Sequence, residues 1–210
     1  MKKLILIVLM TTLSTAYAKV DLGVMTGLQT TNANYKPDEP FVKTLHAMPL
    51  IGLYSKFGLS DNFAIQFSPS YTKKKIEANQ FLYDLELASG YIDLPILLSF
   101  ELNFGMLKPY IFAGPNIGII TNPTSNSSGF GTVSNKEDIS DDVETIEYSI
   151  RAGVGLELEF ESFSLFGQAY YGHGLNDIYN APEGVTFPDE VYLRSIDIQL
   201  GISFPLSRRD

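Results

Sequence analysis

The chain has 210 residues, with 24 acidic and 15 basic side chains, no cysteine and no tryptophan, but 14 Phe and 12 Tyr. An apolar content of 45% excludes a disordered chain, and 19% charged residues falls below the roughly 25% usual for soluble domains. The formal charge of −9 argues against nucleic-acid binding, and the missing cysteine closes both a disulfide scaffold and an acylated lipoprotein anchor.

At the N-terminus, Lys2 and Lys3 precede a mostly apolar run over residues 4–13, then Ala16-Tyr17-Ala18. That order predicts a secretory signal peptide over residues 1–18, cleaved after Ala18, since the apolar run is too short to span a membrane. Cleavage would take the formal charge from −9 to −11 by removing Lys2 and Lys3. Beyond this segment no apolar run approaches the ~20 residues of a spanning helix. The remaining residues 19–210 read as one domain.

Eight strands are predicted in that domain, over residues 20–30, 48–57, 63–71, 92–102, 110–120, 148–161, 163–175 and 196–204. The sixth is the clearest: Tyr148, Ile150, Ala152, Val154, Leu156, Leu158 and Phe160 alternate with Ser149, Arg151, Gly153, Gly155, Glu157 and Glu159. A helix does not produce this period. The fifth and seventh carry aromatics and glycine on both faces, so their orientation stays open. Connections alternate long and short: the odd-to-even links are long and rich in Asn, Pro, Asp and Ser, the even-to-odd links tight. Eight strands joined this way predict an all-β fold, an antiparallel up-and-down transmembrane β-barrel with short periplasmic turns and long extracellular loops.

Alternation alone leaves two barrels open. A secreted lipocalin-like barrel would turn its aliphatic face inward around a small ligand, whereas a membrane barrel would turn it outward to lipid. Glycines decide between them. Gly23, Gly27, Gly153, Gly155 and Gly201 share the polar face, where a narrow lumen needs room for larger neighbours. The same face carries Asp93, Glu101, Arg151, Glu157, Glu159 and Asp197, which are expected to form a polar network inside the barrel. Tyr54, Tyr71, Tyr91, Tyr110, Tyr148, Tyr171 and Tyr192 lie near strand ends, as interfacial rings would.

The last strand reads Gln199-Leu200-Gly201-Ile202-Ser203-Phe204-Pro205-Leu206. Its Gln199, Gly201, Phe204 and Leu206 resemble the signal read by the outer-membrane assembly machinery, with Pro205 inside the pattern and four residues beyond it as departures. Segments 91–98 (YIDLPILL), 108–115 (KPYIFAGP), 152–157 (AGVGLE) and 171–178 (YGHGLNDI) resemble, in order, the PorT-type outer-membrane β-barrel family common in Bacteroidetes. The resemblance implies an eight-stranded barrel in the outer membrane of a Gram-negative cell. It implies no defined activity, although some such proteins act in assembling secretion systems.

Chemistry is sparsely represented. His46 and His173 are the two histidines, both expected at the extracellular rim, and His173 with Asp177 is the nearest approach to a catalytic pair. No nucleophile at a diagnostic spacing accompanies them, so neither a protease nor a lipid A enzyme is expected. The acidic stretch 136–144 lacks the glycine turn and terminal glutamate of a calcium loop, and no metal or cofactor is expected. Lys73, Lys74 and Lys75 offer charge to lipopolysaccharide phosphates. A lumen filled by side chains argues against an open porin. The expected role is therefore structural, surface-recognising or secretion-accessory, with lipid, lipopolysaccharide, the assembly machinery and a protein partner at the long loops as its contacts.

Overall fold

The computed structural model describes residues 19–36, 42–44, 47–80, 83–129, 135–138, 144–178 and 190–206. The expected signal peptide and His46 lie outside these residues. The described strands are β1 (Val20–Lys36), β2 (Val42–Thr44), β3 (Ala47–Gly58), β4 (Phe63–Phe67), β5 (Ser70–Gln80) and β6 (Tyr83–Glu101). They continue as β7 (Leu107–Gly129), β8 (Asn135–Asp138), β9 (Ile146–Glu159), β10 (Ser164–Gly174) and β11 (Glu190–Pro205). Every pairing is antiparallel, and β1 bonds to both β3 and β11, so the sheet closes on itself. β2 and β3, β4 and β5, and β8 and β9 each fall on one stave, which makes an eight-stranded barrel. Closure leaves no sheet edge inside the bilayer, as lipid requires.

The third stave breaks between β4 and β5 at Ser68-Pro69, because proline has no N–H to give the ladder. The side-chain alternation nevertheless runs through the break, from Phe63 to Tyr71. Three tight turns join the staves at the end that holds both ends of the described barrel. In one of them Gly105 adopts φ +70°, a backbone conformation that disfavours a side chain. The amide of Asn62 donates to the Glu101 carbonyl at 2.8 Å, and that of Asn103 to the Asp61 carbonyl at 2.8 Å, tying neighbouring turns together. Short turns mark this end as periplasmic.

At the other end the strands run further than their sequence alternation predicts. Residues 72–80 and 83–91, read as parts of a long loop, instead form the upper parts of β5 and β6, which pair as far as Gln80 and Tyr83. β7 likewise continues through Thr121 to Gly129 and pairs with β8. Backbone pairing persists there although the apolar alternation that advertises a strand has disappeared from the sequence.

Parity along each strand separates two surfaces. Facing out are Leu22, Val24, Leu28, Ile51, Leu53, Ile96, Leu98, Ile111, Ile150, Val154, Ile198 and Leu200, each between 43% and 67% exposed. No helix among the described residues is long and apolar enough to cross a membrane; here the strands present the apolar surface. The outward aromatics differ between the two ends. Phe57, Phe63, Phe100, Phe104 and Phe204 circle the periplasmic end, while Tyr71, Tyr148 and Tyr171 lie nearer the extracellular end. From Tyr148 to Phe160 the strand covers about 40 Å, or roughly 30 Å of depth at a 45° tilt, the height of a hydrocarbon core. The interfacial reading of the tyrosines is corrected for three of them: Tyr54, Tyr91 and Tyr110 are 2–3% exposed and point into the barrel. Each shares parity with lumenal residues of its own strand, and position near a strand end does not override that parity.

Candidate functional site

The lumen is built from the inward positions of all eight staves. Its mid-section is aromatic. Tyr54 stacks on Phe166 at 4.1 Å between centroids, Met25 packs in the same buried cluster, and Phe112 meets Tyr170 edge-on at 6.0 Å. The glycines make these rings possible. Tyr110 faces Gly155 across the β7–β9 ladder and Phe166 faces Gly201 across β10–β11; a Cβ on either glycine would overlap the opposing ring.

Towards the extracellular end, the six expected network residues contribute Asp93, Arg151 and Asp197. The Arg151 guanidinium meets Asp93 Oδ1 at 2.7 Å and donates to the Tyr170 hydroxyl at 3.0 Å. Asn116 donates to both Asp93 Oδ1 and Ser149 Oγ at 3.1 Å. From Tyr170 the chain of bonds continues: Gln199 donates to its hydroxyl at 2.6 Å, Gln168 donates to the Gln199 carbonyl at 2.7 Å, and Tyr110 donates to Gln168 at 3.1 Å. Asp197 is completely buried near Arg151, Asp93 and Lys74. One level higher, Lys74 turns inward to Glu147 at 2.9 Å, with its ammonium 3.8 Å from the Tyr91 ring centroid.

Towards the periplasm the other three network residues gather around lysines. Lys56 Nζ lies 2.5 Å from Glu157, 3.4 Å from Glu101 and 3.7 Å from Asp21. Lys108 pairs with Glu159. All of these groups but Glu157 line a cavity of about 500 Å³ that opens at the periplasmic mouth between Lys19, Asp61, Phe63 and Asn103. The six residues therefore form two clusters separated by the aromatic layer.

Sequence reasoning missed Lys56, Asp21, Asn116, Gln168, Tyr170 and Glu147: Asp21 shares the parity of Gly23 and Glu147 that of Arg151, whereas Asn116, Gln168 and Tyr170 lie on the two strands whose orientation stayed open. Of the lysine triplet, Lys73 is exposed and Lys74 is committed inside the barrel. In the assembly-signal stretch, Gln199 belongs to the lumenal network and Gly201 lies under Phe166, while Phe204 and Leu206 are outward at 51% and 66% exposure. His173 is exposed on the outer face at 6.3 Å from the Tyr171 ring. Among the described residues no three His, Asp or Glu side chains are grouped to hold a metal.

A closed antiparallel barrel with an apolar exterior, aromatic girdles and a charged, packed lumen defines an integral outer-membrane protein. The apolar-out geometry overturns the lipocalin alternative, which needs the aliphatic face inside. Over residues 14–180 the sequence matches the outer membrane protein β-barrel domain, and the chain belongs to that family. Its fold is similar to OprG from Pseudomonas aeruginosa, with a TM-score of 0.52 at 11% identity, covering 90% of this chain and 97% of that one. It is similar as well to AlkL, determined in DMPC lipid bilayers, with a TM-score of 0.53 at 14% identity and coverage of 93% and 94%. At these identities the likeness concerns the fold alone. No curated protein matches the sequence.

Proposed function

We propose that this protein is a closed outer-membrane anchor whose work is recognition at its extracellular end, by a protein partner, with no catalytic step of its own. The observation that carries this reading is the unequal height of the barrel wall. β6 and β7 run for 19 and 23 residues, about twice the 9–11 that cross a bilayer, whereas β10 has 11. A raised wall on one side gives a rigid platform beyond the headgroups, and loops on rigid scaffolds are the usual carriers of recognition. Lipopolysaccharide is a weaker fit, since Lys74 of the lysine triplet is already paired with Glu147. A barrel whose mid-section is filled by Tyr54, Phe166, Phe112 and Tyr170 fits an anchor better than an open pore. The four resembling segments also support a PorT-type membership within the family, and with it a secretion-accessory setting for the partner.

The test replaces residues 75–88, the top of the β5–β6 hairpin, by a two-residue Asn-Gly turn. The shortened barrel should still migrate anomalously when unheated and stay in carbonate-washed membranes, yet lose the partners that cross-link to the intact protein on cells. Unchanged cross-linking, or a porin-like conductance of the intact barrel in planar bilayers, would overturn the reading.

A further inference from the structure

The extracellular cluster leaves a small set of polar atoms unanswered. Gln29 and Asp197 face each other across the β1–β11 ladder, at 2% and 0% exposure. Inward-facing partners on adjacent strands have Cβ atoms about 5 Å apart, so the two side chains share one space. Neither polar atom of Gln29 has a hydrogen-bond partner, and the Asp197 carboxylate is met by the Tyr170 hydroxyl alone, which leaves one of its oxygens open. That hydroxyl accepts from Arg151 and Gln199 and has its own hydrogen left to donate to Asp197. In the adjoining ion-pair cluster Asp93 Oδ2, Asn116 Oδ1 and Arg151 Nε are also without partners. The unanswered atoms are thus four oxygens against two nitrogens. Charge is unequal in the same sense: Arg151 and Lys74 face Asp93, Asp197 and Glu147, one negative charge in excess.

We propose that Gln29 and Asp197, with Asp93 and Asn116 behind them, form a lumenal site for one small hard monovalent cation, Na⁺ or K⁺. Hard cations take carboxylate and amide oxygens, which are the groups in surplus here. Water would supply hydrogens to those oxygens but leave the excess charge in a low-dielectric lumen. A divalent ion is disfavoured, because among the described residues no three acidic side chains are placed to hold a metal together and Asp93 is already held by Arg151. The site deepens the description of the lumen and is independent of what the extracellular end recognises.

The barrel is refolded into detergent micelles separately in NaCl, KCl and N-methylglucamine chloride at equal ionic strength, and its apparent melting temperature is read by heat-modifiable migration. Binding to the folded form alone raises that temperature, here by about 3–6 °C in the alkali salts. Asp197→Asn, which keeps the shape and removes the charge, should abolish the difference; if it does not refold, Gln29→Met provides the same reading. Crystals grown in thallium acetate should show an anomalous peak between Gln29 and Asp197. Equal stability in all three salts, a salt difference that persists in the variants, or a peak position filled by water without anomalous signal would each overturn the proposal.

Discussion

At the extracellular end of the lumen Arg151 meets Asp93 in a sealed pair, both side chains 1–2% exposed and braced by Tyr170 and Asn116, whereas at the periplasmic end Lys56 is shared by three carboxylates beside an open cavity. Both are ion pairs inside one barrel, but they differ in how the remaining lone pairs and protons are answered. In the upper cluster the protein itself supplies most partners. In the lower one water can enter and share the charge. A buried pair contributes to stability mainly through what happens when one member is lost, and that depends on whether solvent can reach the survivor. The worth of a lumenal cation should therefore fall from Arg151 to Lys56 to Lys108 as access to the periplasmic mouth grows.

The largest effect is expected at Arg151. Arg151→Met preserves much of the volume but strands Asp93 and Asp197 without their guanidinium, and should cost about 3–5 kcal/mol in urea unfolding from lipid vesicles. If the cost is under about 1 kcal/mol, the upper cluster is hydrated after all and the contrast between the two ends collapses. A comparable loss should come from the other surface: Val154 is 60% exposed and midway between Tyr148 and Phe160. Val154→Arg places a charge near the bilayer midplane and should cost about 2–4 kcal/mol, with correspondingly less heat-modifiable protein in membranes. A neutral result there would mean that this face is not in lipid.

Lys56 comes next. Lys56→Met leaves Asp21, Glu101 and Glu157 together, yet the cavity admits water to their rim, so about 1–3 kcal/mol is expected. The distinguishing measurement is salt with a cation too large for the lumenal site: added N-methylglucamine chloride should partly restore Lys56→Met by screening carboxylate repulsion, and leave Arg151→Met unchanged. Equal salt responses would remove the physical basis of the comparison.

Much of this architecture was legible along the chain, and the limits have physical causes. The sixth predicted strand, 148–161, appears as β9 with every inward and outward residue in the expected parity, because a wall between lipid and lumen imposes period two on the sequence. Residues 121–129, Thr-Asn-Pro-Thr-Ser-Asn-Ser-Ser-Gly, carry no such period and are nevertheless strand. Backbone pairing with β6 and β8 asks for no such period, and composition reads as loop. The inward turn of Tyr54 and Tyr91 could have been read from parity with Lys56 and Asp93, whereas Tyr110 shares its parity with Phe112, whose apolar ring does not tell lumen from lipid. What no single strand encodes is the partition into two clusters. Arg151 on β9 reaches Asp93 on β6 across the intervening β7, a contact set by the register of three strands together.

The smallest effect tests the same gradient at its solvent end. Lys108 and Glu159 are each 19% exposed at the side chain and line the mouth of the cavity, so their ions are already partly hydrated when paired. Lys108→Met removes one charge from a pair that water can largely replace, and a cost of about 0–1 kcal/mol follows, vanishing in high salt. A double variant with Glu159→Gln should then be close to Lys108→Met alone, since little coupling is lost between two solvated groups. If instead Lys108→Met is as damaging as Lys56→Met, the cavity is not wet in the folded barrel. Depth from the mouth would then cease to rank these pairs, and the number of carboxylates around each lysine would have to set the order.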